Sequence, residues 1–200
     1  FKDINDGYGH TTGDTLVKTV GERLSQIVAH HDIIARVGGD EFAILITCDA
    51  DNTPEKIGKS IINRMHEPLC CDERKVTITL SVGIAMTGVE RSASALMQEA
   101  DIALYHAKES GRDQFSIYST SMAVEKNLMR HLERDLPQAT HADQMRMVYQ
   151  PIINISNPDA QELEALIRWE HPELGPIQPD VFIGVAERSG FINLLGIWIL

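Results

Sequence analysis

The sequence predicts an α/β (α+β) fold in which helices cover a mostly antiparallel sheet, followed by a linker helix and the opening of a second domain. Three observations predict it. Apolar residues recur at helical spacing in several separate segments. Short β-rich runs lie between those segments. The order is helix, hairpin, helix, strand, helix, strand, which suits a sandwich of helices on a sheet.

Each element has a local reason. From Thr12, the residues Leu16, Val20, Leu24, Ile27 and Val28 fall on one helical face. Ile33 to Val37 reads as a short strand and Phe42 to Ile46 as its return, because Gly38-Gly39 can take the positive φ of a tight hairpin. Thr53-Pro54-Glu55 starts a second helix with a capping hydroxyl and a proline at the first helical position. Its apolar face is Ile57, Ile61, Ile62 and Met65. Residues 76–86 alternate, with Val76, Ile78, Leu80, Val82 and Ile84 on one side, and predict a half-buried strand. Ser94 to Glu109 reads as a helix stopped by Gly111, and Gln114 to Tyr118 as a strand.

Residues 119–145 turn polar and helical, with Leu128, Leu132 and Leu136 at i, i+4 spacing. Met147 to Ile155 and Glu162 to Trp169 then read as two strands, and Pro179 opens a helix to about Arg188. The expected organisation is a first domain over 1–119, a linker helix over 120–145, and the start of a second domain over 146–200.

Composition narrows the function. The formal net charge of −11 argues against a nucleic-acid polymer as partner, although one phosphate pocket needs only a few local cations. Cys48, Cys70 and Cys71 are odd in number and lack metal-ligand spacing, which suggests reduced thiols in a cytosolic setting. His30-His31 reads as a wet helix end rather than a metal site. No secretory signal is visible, and the longest apolar stretch, Phe191 to Leu200, is too short to span a bilayer. The chain begins at Phe1 within a motif, so both ends look cut, and membrane attachment of a longer parent stays open.

Taken alone, Gly38-Gly39-Asp40-Glu41-Phe42 is a turn with two solvated acids. A tight turn also aims carboxylates away from a rigid sheet, which suits a divalent metal on substrate phosphates. Around it stand Phe1-Lys2-Asp3-Ile4-Asn5-Asp6, Gly9-His10, Gly13-Asp14, Tyr105-His106-Ala107-Lys108 and Gly111-Arg112-Asp113. This series resembles the diguanylate cyclase (GGDEF) family over residues 1–118. The resemblance implies a nucleotide-cyclase-like sandwich that condenses two GTP into cyclic di-GMP across a homodimer of such domains, with Mg2+ (or Mn2+). It implies Asp40 as metal-binding acid, Glu41 as its catalytic neighbour, Asn5 and Asp14 as guanine readers, and Lys108 and Arg112 as phosphate donors. Lys2 lies where the loop covers the phosphates, and His10 reads as structural. Lys108 and Arg112 stand four apart, so one helix face is expected to present both.

Two departures bear on activity. The family carries another metal-binding aspartate and a first strand before the position of Phe1, so the 200-residue piece alone is expected to be inactive. Many members also carry an Arg-x-x-Asp product site ahead of the hairpin. Here the positions read Ala29-His30-His31-Asp32, so product feedback through them is expected to be lost.

A second series is Tyr149-Gln150-Pro151-Ile152, Glu164-Ala165-Leu166-Ile167-Arg168-Trp169 and His171-Pro172, continued by Ala186-Glu187-Arg188-Ser189-Gly190. It resembles the start of an EAL phosphodiesterase domain, and implies the opening segment of a TIM-like barrel that hydrolyses cyclic di-GMP. Glu164 matches a metal ligand expected at a strand end, and Gln150 and Arg168 match ligand contacts. The competing expectation is a non-catalytic sensor that binds GTP or cyclic di-GMP. Both readings place the domains in the cytoplasm, with the parent open to an inner-membrane anchor.

Overall fold

The computed structural model describes residues 6–7, 9–71, 74–88, 91–153 and 161–200. The chain divides into two compact units, Phe1–Ala123 and Val124–Leu200.

The first unit opens with α1 (His10–Ser25), whose N-terminal turn is entered through Gly9 at φ 85°. Leu16, Val20 and Leu24 form its buried face, as the spacing predicts. The hairpin β1 (Ile33–Gly38) and β2 (Glu41–Leu45) follows, antiparallel, with Ile34 opposite Ile44 and Arg36 opposite Phe42. Helix α2 (Pro54–His66) starts where Thr53 Oγ1 accepts from the Lys56 amide. Its Ile61 and Met65 pack with the α1 leucines and with Leu69 of β3 (Leu69–Cys71). The far end of α2 leaves carbonyls without helical partners. Arg23 of α1 fills that gap, donating to the carbonyls of Arg64 (3.1 Å), Pro68 (2.9 Å) and Glu67.

Strand β3 pairs antiparallel with β4 (Arg74–Val76) over three residue pairs, a pairing that the periodicity does not signal. The single strand expected over 76–86 is corrected here. Only the end of β4 and β5 (Val82–Ile84) are strands. The alternation is nonetheless physical, since Ile78 and Leu80 are half-buried against the core while Thr77 and Thr79 are exposed. The alternating burial holds without a hydrogen-bonded ladder through 77–81.

Helix α3 (Ala93–Glu109) is capped by Ser92, whose Oγ accepts from the Ala95 amide at 3.2 Å. It lies flush on β5, with Ala103 and Ala107 fully buried. Strand β6 (Phe115–Ile117) runs parallel to β5, so the strand pairs are two antiparallel and one parallel among the described residues of this unit. Two of these three pairs are antiparallel, in keeping with the expected mostly antiparallel pairing.

Helix α4 (Thr120–Ala139) is the element expected as a linker. Its Leu132, Leu136 and Ala139 are fully buried in the core of the second unit. There β7 (Met145–Ile153), β8 (Gln161–His171) and β9 (Gly175–Ile177) form an antiparallel sheet. Helices α5 (Pro179–Ser189) and α6 (Ile192–Ile199) complete the unit, and α5 ends on Gly190 at φ 75°. The apolar run after Phe191 is thus a helix that buries Leu195. No closed barrel is formed among the described residues.

Trp169 anchors this core, edge-on to Phe182 at 5.7 Å, with its indole N–H donating to Gln144 Oε1 at 3.2 Å. His171, 4% exposed, ties α4 to the β8–β9 turn. Its Nδ1 accepts from the amides of Glu173 and Leu174, which leaves Nε2–H to donate to Asp135 at 3.2 Å. The Arg134 guanidinium, donating at 2.7 and 2.9 Å, and then His171, hold the Asp135 carboxyl down to about 2. A depressed carboxyl contributes stability that is present above its unfolded pKa and lost as pH falls through the folded value. Unfolding of the second unit is therefore expected to lose about 1–2 kcal/mol between pH 4 and pH 2 from this group, allowing for the exposure of Arg134. Asp135→Asn should flatten that segment of the stability–pH curve in denaturant melts. An unchanged slope would show that Asp135 is not its source.

No described helix is long and apolar enough to cross a membrane.

Candidate functional site

In the first unit the tip of the β1–β2 hairpin is the best-defined polar feature. Gly39 sits at φ 51°, a left-handed conformation that glycine adopts without strain. A bulge between Arg36 and Gly38 shifts the register, leaving Gly38 opposite Glu41. The Arg36 guanidinium then locks the turn, Nε and Nη2 donating to the Gly39 carbonyl at 3.0 and 2.8 Å. Sequence reasoning does not single out Arg36. Its signal is position, one arginine on the strand two residues before the glycine pair.

Asp40 and Glu41 are both exposed on this clamped turn, and neither is ion-paired among the described residues. No group of three His, Cys, Asp or Glu side chains converges among the described residues. The donor set still fits a hard divalent ion. Mg2+ is commonly held by one or two carboxylates, with substrate phosphates and water completing its shell.

The other expected positions are distributed as follows. Asp14 is exposed on the second turn of α1. Lys2 and Asn5 lie outside the described residues, as does the side chain of His10. Lys108 is exposed in the last turn of α3. Arg112 is not on that helix. The helix ends at Glu109, and Gly111, Arg112 and Asp113 follow at φ 116°, 59° and 49°. The expectation of one helix face presenting both cations is corrected. Arg112 stands on a left-handed arm beyond the helix, its amide donating to the Ala107 carbonyl at 3.1 Å.

Asp32, the surviving acid of the Ala29–Asp32 segment, is occupied structurally. Its carboxylate accepts from the amides of Ala29 (2.7 Å) and Thr47 (3.1 Å), and its side chain is 3% exposed. The hydrogen bond from the Ala29 amide, then that from the Thr47 amide and the charge interaction with the His31 ring, hold this carboxyl below the usual range.

In the second unit Gln150 of β7 stands directly opposite Glu164 of β8. Strand alternation places Gln150, Glu164 and Arg168 on the sheet face opposite to the buried Ile167 and Trp169. Gln150 and Glu164 are exposed and adjacent. Arg168 lies four residues along, about 13 Å at strand rise, with its Nη1 donating to the Ile167 carbonyl at 2.8 Å. Glu164 is the fourth residue of an eleven-residue strand, nearer its start, so the expected strand-end placement is corrected. The reason is topological, since β8 returns antiparallel beside β7 rather than parallel through a helix.

Comparison with known proteins bears on both units. Residues 1–114 match the family described as diguanylate cyclase, GGDEF domain, and residues 133–200 match the EAL domain. Over its full length the chain is 36% identical to the cyclic di-GMP phosphodiesterase NbdA and 38% identical to the bifunctional diguanylate cyclase/cyclic di-GMP phosphodiesterase MucR, both of Pseudomonas aeruginosa. It spans only 26% and 29% of those proteins' lengths. Among solved structures it is similar to the GGDEF domain of TpbB (YfiN) from Pseudomonas aeruginosa, with a TM-score of 0.57 and 32% identity. That match covers 61% of this chain and 73% of the other. It is also similar to the GGDEF domain of DgcB from Caulobacter crescentus in complex with cyclic di-GMP, with a TM-score of 0.52 and 29% identity, covering 58% and 70%.

Proposed function

Since the chain belongs to the diguanylate cyclase (GGDEF) family and continues into an EAL match, we propose that it is part of a protein that turns over cyclic di-GMP. The observation that carries this reading is the Arg36-clamped hairpin, which presents two carboxylates free of ion pairs among the described residues.

In this reading Asp40, with Glu41 beside it, would hold Mg2+ (or Mn2+) when the triphosphate is bound. The metal, when bound, neutralises charge that develops on the phosphate oxygens. Asp14 and Asn5 read guanine, and a carboxylate at Asp14 can accept from both N1–H and the 2-amino group. Lys108 donates to phosphate from the helix end, Arg112 from the arm beyond it, and Lys2 from the loop. Two such domains face each other as a homodimer. The 3′-hydroxyl of one GTP gives up its proton and attacks the α-phosphorus of the other, expelling pyrophosphate, and the reciprocal attack expels a second pyrophosphate and closes the ring. Asp32 is committed to backbone amides and Ala29 offers no cation, so synthesis proceeds without product binding at this segment.

In the second unit Glu164 contributes to a metal site, while Gln150 beside it and Arg168 farther along contact an extended dinucleotide. The adjacent pair and the more distant cation suit a ligand with two separated phosphates, which water then opens to the linear form.

Equilibrium dialysis of the full-length protein with Mg2+ tests the guanine site. GTP is expected to bind at least about tenfold more tightly than ATP, because the adenine edge presents an unprotonated N1 where Asp14 needs a donor. Equal affinity for the two, or binding of neither, would overturn the reading.

A further inference from the structure

We infer that His66 is a positioning residue for the phosphate-binding arm Gly111–Asp113, acting through Asp113. The inference rests on the reading of Arg112 as a phosphate donor.

The arm is unusual in its backbone. Gly111, Arg112 and Asp113 all have positive φ, which glycine adopts freely and aspartate tolerates but which the Arg112 side chain disfavours. Consecutive residues of this kind persist only where surrounding contacts over-determine them, and such strain concentrates at sites that act on ligands. The local restraints are visible. The Arg112 amide donates to the Ala107 carbonyl at 3.1 Å, and the Gln114 side-chain amide donates to the same oxygen at 3.2 Å. Beyond the arm, the Val82 amide donates to the Gln114 carbonyl at 2.9 Å, fixing where β6 begins.

The remaining restraint is distant in sequence. His66, the last residue of α2, places Nε2 at 2.8 and 2.9 Å from the two carboxylate oxygens of Asp113, 47 residues away. Contact with both oxygens restricts the carboxylate more than a single bond does. The end of α2 that carries His66 is itself held by the Arg23 guanidinium at the carbonyls of Arg64, Glu67 and Pro68. Arg23 lies on α1, the helix that also carries Asp14. Two sets of polar contacts, joined by the chain between them, thus connect the helix of the guanine reader to the arm of the phosphate donor: Arg23 of α1 to the end of α2, and His66 at that end to Asp113 beside Arg112.

The magnitudes favour positioning over stabilisation. His66 and Asp113 are 47% and 37% exposed, and an exposed pair shifts an equilibrium constant by at most about fivefold. That is small for global folding. It is enough to redistribute a strained arm between its left-handed state and alternatives in which Arg112 points elsewhere.

The test uses the full-length protein with Mg2+, and compares affinity for GTP with affinity for guanosine, which lacks phosphates. His66→Ala is expected to weaken GTP binding about threefold to fivefold and leave guanosine binding and the melting temperature unchanged. His66→Gln, which keeps a donor near Asp113, should recover part of the loss. In an Arg112→Ala background, His66→Ala should have no further effect. Equal losses for GTP and guanosine would assign His66 a purely structural role and overturn the inference. So would undiminished GTP affinity in His66→Ala when Arg112→Ala does weaken it. If Arg112→Ala itself leaves GTP affinity intact, the donor reading falls, and the positioning role falls with it.

Discussion

Gly83→Ala is expected to destabilise the first unit by at least about 3 kcal/mol, lowering its melting temperature by roughly 10 °C. A methyl group at Gly83 would lie 2.1 Å from the Ala100 carbonyl oxygen and 2.3 Å from the Leu104 amide nitrogen. Both are backbone atoms of α3, so no side chain can swing aside. Relief requires α3 to lift from β5, which would open the contact that buries Ala103 and Ala107. The same helix carries Lys108 in its last turn and leads into the Arg112 arm, so phosphate binding should fall along with stability. Gly88→Ala is the matched control, because a methyl group there would meet nothing within 4 Å, and it should change stability by no more than about 0.5 kcal/mol. Comparable melting of the two variants would mean that α3 and β5 are not packed this closely.

Asp40→Asn in the full-length protein is expected to reduce cyclic di-GMP synthesis at least about 100-fold, equivalent to about 2.7 kcal/mol of barrier. Asparagine keeps the shape of the turn but removes the negative charge on which a hard divalent cation depends. Asp40 is exposed and outside every ion pair among the described residues, so the melting temperature should not move. The Arg36–Gly39 clamp does not involve the Asp40 carboxylate and should survive the change. A loss of activity with an unchanged melt separates a metal role from a folding role. Retention of synthesis within about threefold of wild type would remove Asp40 from the metal site.

Local chemistry made much of this fold readable. Helix α2 begins where Thr53 and Pro54 say it should, and α3 gives way at Gly111. The hairpin forms because Gly39 supplies positive φ between two apolar runs. Elements with weak local signals escaped. Strands β3, β4 and β9 have three residues each, too few for alternation to register, and α6 is apolar on most sides rather than along one stripe. Leu132 and Leu136 show helical spacing in the sequence, but only the packing of the second unit reveals them as core rather than linker residues.

The candidate sites divide in the same way. Asp40, Glu41, Gln150 and Glu164 are visible as motif residues, and the hairpin and the β7–β8 register bring each pair side by side. Spacing alone puts Arg112 on a helix, because it cannot show three successive positive φ angles. Arg23 and His66 act on partners 41 to 47 residues away, a range that neither periodicity nor turn chemistry reaches.

The most direct measurement is the identification by mass spectrometry of the guanine nucleotides formed when the full-length protein meets GTP, and separately cyclic di-GMP, with Mg2+. The predicted result is cyclic di-GMP from GTP, or linear dinucleotide from cyclic di-GMP, each abolished by EDTA. Binding of both nucleotides by folded protein with neither one consumed would contradict turnover, and would make this chain part of a sensor.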